Sequence, residues 1–315
     1  MRCGPSGDCR ASVANKDEQM TRIMMNFPDE PWLDVLLQQS LEEDIGRGDA
    51  TTDVAVDPAL RTSGIITARE PGIIAGLPLV VKLYARLDPG VLVTLLVEDG
   101  AFVAEGEAVV RIEGPVAALL TGERTALNFL QYLSGIATQT HRYAEAVEGT
   151  DCVVLDTRKT LPGYRRLAKY AVRCGGGHNH RMGLDDRILL KDNHWASRDG
   201  SLAELVARGR QRHPDLAIEI EVDTIAQLQD VLPLRIEWVL LDNFTPEHVR
   251  EAVALRDAND PPGWTTRLES SGNVTLETIR DFADAGADAA SVGRLTHSVP
   301  ALDLGLDFEH RKTEA

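Results

Sequence analysis

The sequence has few of the features that mark secreted or membrane proteins. Its 315 residues include only four cysteines, and none of them forms a C-x-x-C pair. Such a chain has no disulfide framework, which favours a reducing compartment, and we expect a cytoplasmic protein. No apolar run approaches the roughly 20 residues that a transmembrane helix needs, so we expect no membrane association.

Positive charge is also scarce. The chain has 33 Lys and Arg against 49 Asp and Glu, which gives a formal net charge of −16 and a pI near 4.9. A surface this acidic repels a phosphate backbone, so we expect no nucleic-acid partner. The hydrophobic content of 43% is enough to form the cores of two domains.

One stretch reverses this charge balance. Between Asp156 and Lys191 only three residues are acidic, namely Asp156, Asp185 and Asp186. Nine are basic: Arg158, Lys159, Arg165, Arg166, Lys169, Arg173, Arg181, Arg187 and Lys191. A local excess of cations in an acidic protein indicates an anion site.

The first half of the chain predicts a mixed α+β domain. Leucines spaced for one helical face predict a short helix after Pro31, and a glycine-interrupted loop over residues 43–52 is typical of an ordinary turn. β-rich runs between Gly64 and Gly114 predict a small antiparallel sheet with one helix, and residues 122–148 predict a long helix. The sheet resembles a biotinyl carrier domain, but its only lysine, Lys82, lies in the predicted helix rather than at a hairpin tip.

Short apolar strands alternate with helices in the second half, which is typical of parallel strands with crossover helices. We predict strands at residues 152–155, 187–190, 217–222, 238–241, 266–269 and 287–292. Each is followed by polar side chains, and this favours a barrel over an open sheet, since barrel active sites use the carboxyl ends of all strands.

Acidic residues lie on one face of a predicted strand. Glu219 and Glu221 alternate with apolar residues, so both carboxylates face the same side. A structural ion pair with the basic stretch and a metal site are both open. Asp242, at the next strand end, favours the second alternative, because three carboxylates beside bound phosphate suit Mg²⁺.

Two further patterns concern ligand binding. The segments Ser271-Gly272-Asn273 and Val292-Gly293 precede helices, where small residues let backbone N–H groups approach a phosphate. His178, His180 and His194 suggest zinc, although no fourth ligand is spaced to complete the site. We favour Arg158 and Arg181 as planar forks for carboxylates, with His180 as an added donor. Arg124, near the start of the long helix, is typical of a solvated surface charge.

These segments resemble the quinolinate phosphoribosyltransferase family over residues 41–307. The motifs that carry the resemblance stand in family order: EEDIGRGDATT, GERTALNFLQYLSGIAT, DTRKTLPGYRRLAKYAVRCGGGHNHRMGL, LLKDNH, EIEVDT, LLDNF, ESSGN and SVGRLTHSVPALDLGLDF.

The resemblance implies an α/β fold with two domains. An N-terminal α+β sandwich-like domain over residues 29–130, completed by residues 295–315, would pack on an incomplete barrel of fewer than eight strands over residues 131–294. Residues 1–28 would form a flexible tail. It also implies a homodimer or larger homo-oligomer with shared active sites, in which Arg124 reaches into the partner's site; this replaces the interpretation of Arg124 as a surface charge.

The resemblance also implies roles for individual residues. Thr157, Arg158, His180 and Arg181, with Arg124 of the partner, would bind quinolinate. Lys159 and Lys191 would contact the phosphates of phosphoribosyl pyrophosphate. Glu221 and Asp242 would serve its ribose and Mg²⁺, while Ser271, Gly272, Asn273, Val292 and Gly293 would hold the 5-phosphate.

The implied reaction forms nicotinate mononucleotide, pyrophosphate and carbon dioxide in NAD biosynthesis. Three alternatives stay open at this stage. They are a related pyridine-carboxylate phosphoribosyltransferase or a molybdenum-uptake-associated paralogue, a phosphate-binding barrel aldolase with Lys191 as its Schiff-base lysine, and a non-catalytic ligand-binding barrel.

Overall fold

The computed structural model of the chain describes residues 27–197 and 199–309. Its helices are α1 (Pro31–Ile45), α2 (Ala50–Ala55), α3 (Leu77–Leu87), α4 (Val116–Ala146), α5 (Arg165–Cys174), α6 (Asp192–Ala196), α7 (Leu202–Arg212), α8 (Ile225–Val231), α9 (Pro246–Asn259), α10 (Ile279–Asp284) and α11 (Arg294–His297). Its strands are β1 (Arg61–Ala68), β2 (Gly72–Ile73), β3 (Leu92–Leu95), β4 (Phe102–Val103), β5 (Ala108–Pro115), β6 (Val153–Leu155), β7 (Ile188–Leu190), β8 (Ile218–Val222), β9 (Trp238–Asp242), β10 (Arg267–Ser271), β11 (Ala289–Ser291) and β12 (Leu304–Phe308).

An antiparallel sheet forms the first layer, with the strand order β12-β1-β5-β3. Its outer strand β12 comes from the end of the described chain and pairs with β1, with Gly64 opposite Phe308 and Ala68 opposite Leu304. The buried residues of β1 alternate along the strand, so one face of this sheet packs on the core and the other faces water. The chain therefore returns to its own N-terminal sheet after the second half has formed.

The 31-residue helix α4 connects the two halves. Its fully buried side chains include Leu119 and Leu130 towards the first half and Ile136 farther along. Two of its glycines allow close packing: a Cβ at Gly135 would lie 2.2 Å from the carbonyl oxygen of Pro300, and one at Gly122 would lie 2.6 Å from the Tyr84 ring. We conclude that this helix is packed on several sides, which explains its continuous apolar pattern.

The second half is a six-stranded parallel sheet with the order β6-β11-β10-β9-β8-β7. Strands that follow one another along the chain are neighbours throughout, except that β6 and β7 do not pair. The sheet is therefore a barrel that is open along one seam, which confirms the predicted α/β fold with fewer than eight barrel strands. Residue His178 pairs with Leu155 beside this seam, so the chain leading to His180 continues the sheet at its open edge.

Aromatic and cationic side chains fill the amino-terminal end of the barrel. Trp238 begins β9, and the guanidinium groups of Arg187 and Arg267 lie 5.1 and 5.2 Å from the centroid of its six-atom or five-atom ring system. Cation–π contacts of this kind stabilise desolvated arginines. Because Trp238, Leu240 and Asp242 alternate along one strand, all three point into the barrel, from its closed end towards its carboxyl end.

Three local predictions differ from the structure. The turn predicted over residues 43–52 is wrong at its end, because residues 50–55 form α2. Asp49 caps this helix by accepting the N–H of Thr52 at 3.0 Å and its hydroxyl at 2.6 Å. The sequence also gave no prediction for α5, whose charged residues conceal a buried face that includes Leu167 and Ala171.

Residues 1–26 of the predicted tail lie outside the described residues. Within the remainder, the Phe27 ring packs edge-on against Tyr170 at 5.3 Å, and the Glu30 carboxylate pairs with Arg166. The predicted domain limits stay predictions. No helix among residues 27–197 and 199–309 combines the length and the apolar character needed to cross a bilayer.

Candidate active site

A cavity of about 210 Å³ opens at the carboxyl ends of the barrel strands. Its wall consists of Thr157, Arg158, Lys159, His180, Arg181, Leu189, Lys191, Leu240, Glu269, Ser271 and Ser291. Seven of these are predicted site residues, and they come from β6, the seam segment, β7 and β10. Two apolar side chains, Leu189 and Leu240, contribute the only hydrocarbon patches in this wall, so the cavity combines cations with a small apolar surface.

Two arginines converge on the cavity. Arg158 follows β6, and its Nε is buried without a hydrogen-bond partner in the described part of the chain. Arg181 is 9% exposed and donates from Nη1 to the carbonyl oxygen of Arg187 at 3.2 Å. Burial lowers the pKa of Arg181, and the charge of Arg158 lowers it further. The two guanidinium groups repel each other, so an anion bound between them would relieve that repulsion.

A buried network fixes the seam segment that carries His180 and Arg181. The ammonium group of Lys169 pairs with the Asp156 carboxylate and donates to the carbonyl oxygen of His180 at 2.9 Å. Asp156 also accepts the N–H of His180 at 2.9 Å and the side-chain amide of Asn179 at 2.6 Å. Lys169 and Asp156 are 1% and 0% exposed, so this pair is shielded from water. These contacts replace the β6–β7 pairing that a closed barrel would have.

Below the arginines, His180 faces two acids. Its Nε2 lies 3.0 Å from Glu219 and 3.4 Å from Glu269, and both carboxyl groups are buried. Burial lowers the pKa of His180, but the hydrogen bonds to these two carboxyl groups outweigh it and raise the pKa. Among the described residues, these three are the one group of His, Cys, Asp and Glu close enough to hold a metal ion. The set of His178, His180 and His194 that suggested zinc is not brought together.

Acids and a lysine stand at the mouth of the barrel. Lys191 pairs with Glu221 at the ends of β7 and β8, and Asp242 ends the adjacent strand β9. Burial raises the pKa of Asp242, and the charges of Glu221 and Asp223 raise it further. The three carboxylates are therefore under-neutralised, and oxygen donors in this state fit a hard cation such as Mg²⁺.

The last two strand ends bring backbone close to side chains. Gly272 has a φ of +83°, and a Cβ there would lie 2.2 Å from Asn243 Oδ1. A Cβ at Gly293 would lie 3.0 Å from Cδ of Lys159. Asn273 also has a positive φ, +56°, and its side chain donates to Asn243 at 3.2 Å. Glycine is therefore required at position 272, and Lys159 lies directly over the loop that contains Val292 and Gly293.

Arg124 does not line this cavity. It is exposed on α4, next to Thr125, whose hydroxyl donates to Asp44 at 3.3 Å. The sequence prediction also missed residues of the site. Asn243 contacts Asp242, Gly272 and Asn273, and its φ of +55° is unusual for a residue with a side chain. Glu269 and Ser291 were passed over because a single polar residue in an apolar strand carries no local signal.

Comparisons with protein families agree along the chain. The family described as "Quinolinate phosphoribosyl transferase, N-terminal domain" matches residues 49–134, and "Quinolinate phosphoribosyl transferase, C-terminal domain" matches residues 136–307. The chain is 43% identical over 275 residues to the nicotinate-nucleotide pyrophosphorylase [carboxylating] of Mycobacterium leprae, covering 86% of this chain and 95% of that protein. It is 40% identical over 273 residues to the probable enzyme of the same name from Bacillus subtilis, covering 86% and 92%.

Solved structures of similar proteins have the same architecture. The nicotinate-nucleotide pyrophosphorylase of Francisella tularensis superposes with a TM-score of 0.85 at 35% identity, covering 91% of this chain and 99% of that one. The corresponding protein of Ehrlichia chaffeensis gives 0.81 at 34% identity, covering 88% and 98%. With both family domains matched in order and relatives above 30% identity over nearly their whole length, this chain belongs to the quinolinate phosphoribosyltransferase family.

Proposed function

We propose that the cavity at the mouth of the open barrel is where this chain carries out the family reaction, with the residue roles given below. The activity itself follows from the family: quinolinate phosphoribosyltransferase activity in NAD biosynthesis, that of a carboxylating nicotinate-nucleotide diphosphorylase. The observation that carries the site assignment is the pair of converging guanidinium groups, Arg158 and Arg181, above an apolar wall.

Quinolinate is a flat ring with two carboxylates, and this cavity offers both kinds of contact. Arg158 and Arg181 would bind the carboxylates as planar forks, which match carboxylate geometry. Leu189 and Leu240 are 7% and 4% exposed and would pack against the pyridine ring. Thr157 lies on the same wall as Arg158. The combination favours an aromatic dicarboxylate over an aliphatic phosphate ester, which argues against the aldolase.

Phosphoribosyl pyrophosphate would occupy the outer half of the cavity. Lys159 and Lys191 would neutralise its pyrophosphate, and the backbone of the loops at Ser271-Gly272-Asn273 and Val292-Gly293 would hold its 5-phosphate. Support comes from Gly293, whose Cα lies under the Lys159 side chain, and from the left-handed backbone at Gly272. Small residues at these two positions leave the space that a phosphate group requires.

Mg²⁺ would be held by Glu221 and Asp242, whose carboxylates end adjacent strands and have too few cations around them. When bound, the ion neutralises pyrophosphate as it departs from the anomeric carbon. The chain's own part is electrostatic. The same carboxylates lie where positive charge grows on the ribose, and the two lysines lie where negative charge grows on the leaving group.

Decarboxylation follows from the charge of the product ring. Once the pyridine nitrogen carries the ribosyl group, the ring is cationic and accepts the electron pair left when the adjacent carboxylate departs as carbon dioxide. The apolar wall of Leu189 and Leu240 favours this step, because a carboxylate loses charge on leaving and water would stabilise only the starting ion.

A homodimer or larger homo-oligomer with shared sites accounts for Arg124. This arginine is exposed and outside the cavity of its own chain, so it would act on quinolinate only across a subunit interface. A cytoplasmic location stays a prediction; some tobacco relatives carry the word "mitochondrial" in their names. Fractionation of the source cells with a compartment marker tests it.

The test of the site assignment is the variant Arg158→Ala. We expect the KM for quinolinate to rise by about 100-fold, since a charge-assisted bidentate contact contributes about 1.5–3 kcal/mol and a second arginine loses its partner anion. The KM for phosphoribosyl pyrophosphate should change less than about twofold. Arg250→Ala, on the exposed face of α9, is the matched control.

Initial rates are measured by release of carbon dioxide, with quinolinate and nicotinate compared side by side. Equal rises in both KM values would contradict the carboxylate role of Arg158. Turnover of nicotinate alone would favour the related pyridine-carboxylate transferases instead.

A further inference from the structure

Three buried groups meet below the arginines of the cavity. Glu219 and Glu269 are both 0% exposed, and an oxygen of each approaches the same ring nitrogen, Nε2 of His180, at 3.0 and 3.4 Å. The family resemblance gave His180 a direct role in binding quinolinate and gave neither acid a role. Their convergence on one nitrogen needs a separate explanation.

The other ring nitrogen of His180 is also engaged. Nδ1 accepts the backbone N–H of Arg181 at 2.8 Å, so it carries no proton of its own. The ring proton must then reside on Nε2, where it points to Glu219. A second proton could enter only at Nδ1, opposite the N–H of Arg181, and this opposes the effect of the two acids on the ring. With both nitrogens occupied, His180 has no free donor for a substrate.

The same contact argues against a metal at this cluster. A histidine that binds a metal through one nitrogen normally donates an N–H from the other, which fixes the ring and keeps it neutral. Here Nδ1 accepts a hydrogen bond, so a metal at Nε2 would require an imidazolate. The Arg187 guanidinium, 3.1 Å from Glu219, would also repel a cation.

The two acids differ in their partners. Glu219 accepts from Arg187 and faces the His180 N–H, whereas neither oxygen of Glu269 has a hydrogen bond of standard geometry among the described residues. Burial raises the pKa of Glu269, and the charge of Glu219 raises it further. Two buried carboxyl groups that face one N–H cannot both be ionised at moderate cost, so the pair holds one proton, and the less well-partnered Glu269 is where it resides.

We propose that Glu219 and Glu269 are positioning residues of the dicarboxylate site: as a buried pair sharing one proton, they hold the His180 ring so that its Nδ1 fixes the backbone of Arg181. Arg181 is held a second time through the bond from its Nη1 to the carbonyl oxygen of Arg187, whose own guanidinium Glu219 neutralises. The inference rests on the proposed function, because it assumes that Arg181 binds a carboxylate of quinolinate.

The first experiment compares glutamine variants of the two acids. Glu219→Gln removes the charge that neutralises Arg187 and weakens the acceptor of the His180 ring, so the KM for quinolinate should rise by about 10-fold or more. The KM for phosphoribosyl pyrophosphate should change less than about twofold. Glu269→Gln should raise the KM for quinolinate less than Glu219→Gln does, because the amide replaces a carboxyl group that is already neutral.

The matched control is Glu237→Gln. Glu237 also accepts a backbone hydrogen bond, from Ile218 at 2.8 Å, but at the closed end of the barrel, and its replacement should leave both KM values unchanged. A merely structural role for Glu219 would lower the fraction of active protein and leave both KM values as they are, and that result would overturn the proposal. A larger effect of Glu269→Gln than of Glu219→Gln would overturn the proton assignment.

A second measurement needs no altered site and is therefore independent of folding. Nitrogen-15 shifts of the histidine rings distinguish a neutral ring protonated at Nε2 from an imidazolium, and the His180 signals are those that disappear in His180→Gln. In the wild-type protein at pH 7 we expect the neutral ring with its proton on Nε2. An imidazolium, or a ring protonated at Nδ1 alone, would overturn the proposal.

The two levels of the argument fail separately. If the wild-type protein does not turn over quinolinate, the proposed function is wrong whatever the state of His180. If it does, but the Glu219 variant affects both substrates equally, only the positioning role is wrong.

Discussion

Removing Lys169 tests whether the buried pair with Asp156 holds the open seam of the barrel. Lys169→Met keeps most of the side-chain volume but leaves the Asp156 carboxylate without a cation in a site that water does not reach. Breaking a buried ion pair at one partner costs about 3–5 kcal/mol. At about 2–4 °C per kcal/mol, the midpoint of thermal unfolding should fall by about 6 °C or more.

The loss should depend on pH in a definite direction. Burial already raises the pKa of Asp156 even with Lys169 present, and removing the lysine raises it further. A carboxyl group whose pKa is higher in the folded than in the unfolded protein lowers stability above its unfolded pKa, and protonation relieves this in acid. The difference between variant and wild type should therefore grow from pH 5 to pH 8.

Thermal unfolding of three variants at both pH values checks this. Arg250→Met removes an exposed pair with Glu247, 54% and 76% exposed, and should cost less than about 0.5 kcal/mol. Adding Asp156→Asn to Lys169→Met should restore part of the stability, because no uncompensated charge is left. If Lys169→Met shifts the midpoint no more than the control does, or by the same amount at pH 5 and pH 8, the assignment of the pair is refuted.

Two further predictions concern the outer site and the interface. The KM for phosphoribosyl pyrophosphate with Mg²⁺ should rise as the pH falls towards 5, because the raised pKa of Asp242 means that its charge is lost at a higher pH than for an ordinary aspartate; initial rates for Asp242→Asn should be low and show no such rise, and an unchanged profile would contradict the role. Arg124→Ala and Lys159→Ala should each be inactive alone, but mixing them under subunit exchange should restore about a quarter of the wild-type activity, since half of the dimers are hybrids with one intact site; no recovery in hybrids verified by mass would contradict the shared site.

The strands of the second half could be predicted because each is a short apolar run bounded by polar residues. All six predicted strands are present, with ends that differ by one or two residues. The helix α5 was missed because its sequence is rich in Lys and Arg, although Lys169 and Ala171 are buried. Local periodicity cannot show that a lysine is buried, because the acid that permits it lies 13 residues away.

The sequence by itself determined the alternation of strands and helices, the excess of cations between Asp156 and Lys191, and the motifs of the family. Only the tertiary structure decided which cations are available to a ligand. Of the nine, four line the cavity, while Lys169 neutralises Asp156 and Arg187 lies between Glu219 and Trp238. A charge is free or paired according to the groups that distant parts of the chain bring within about 4 Å of it, and a linear pattern does not contain that distance.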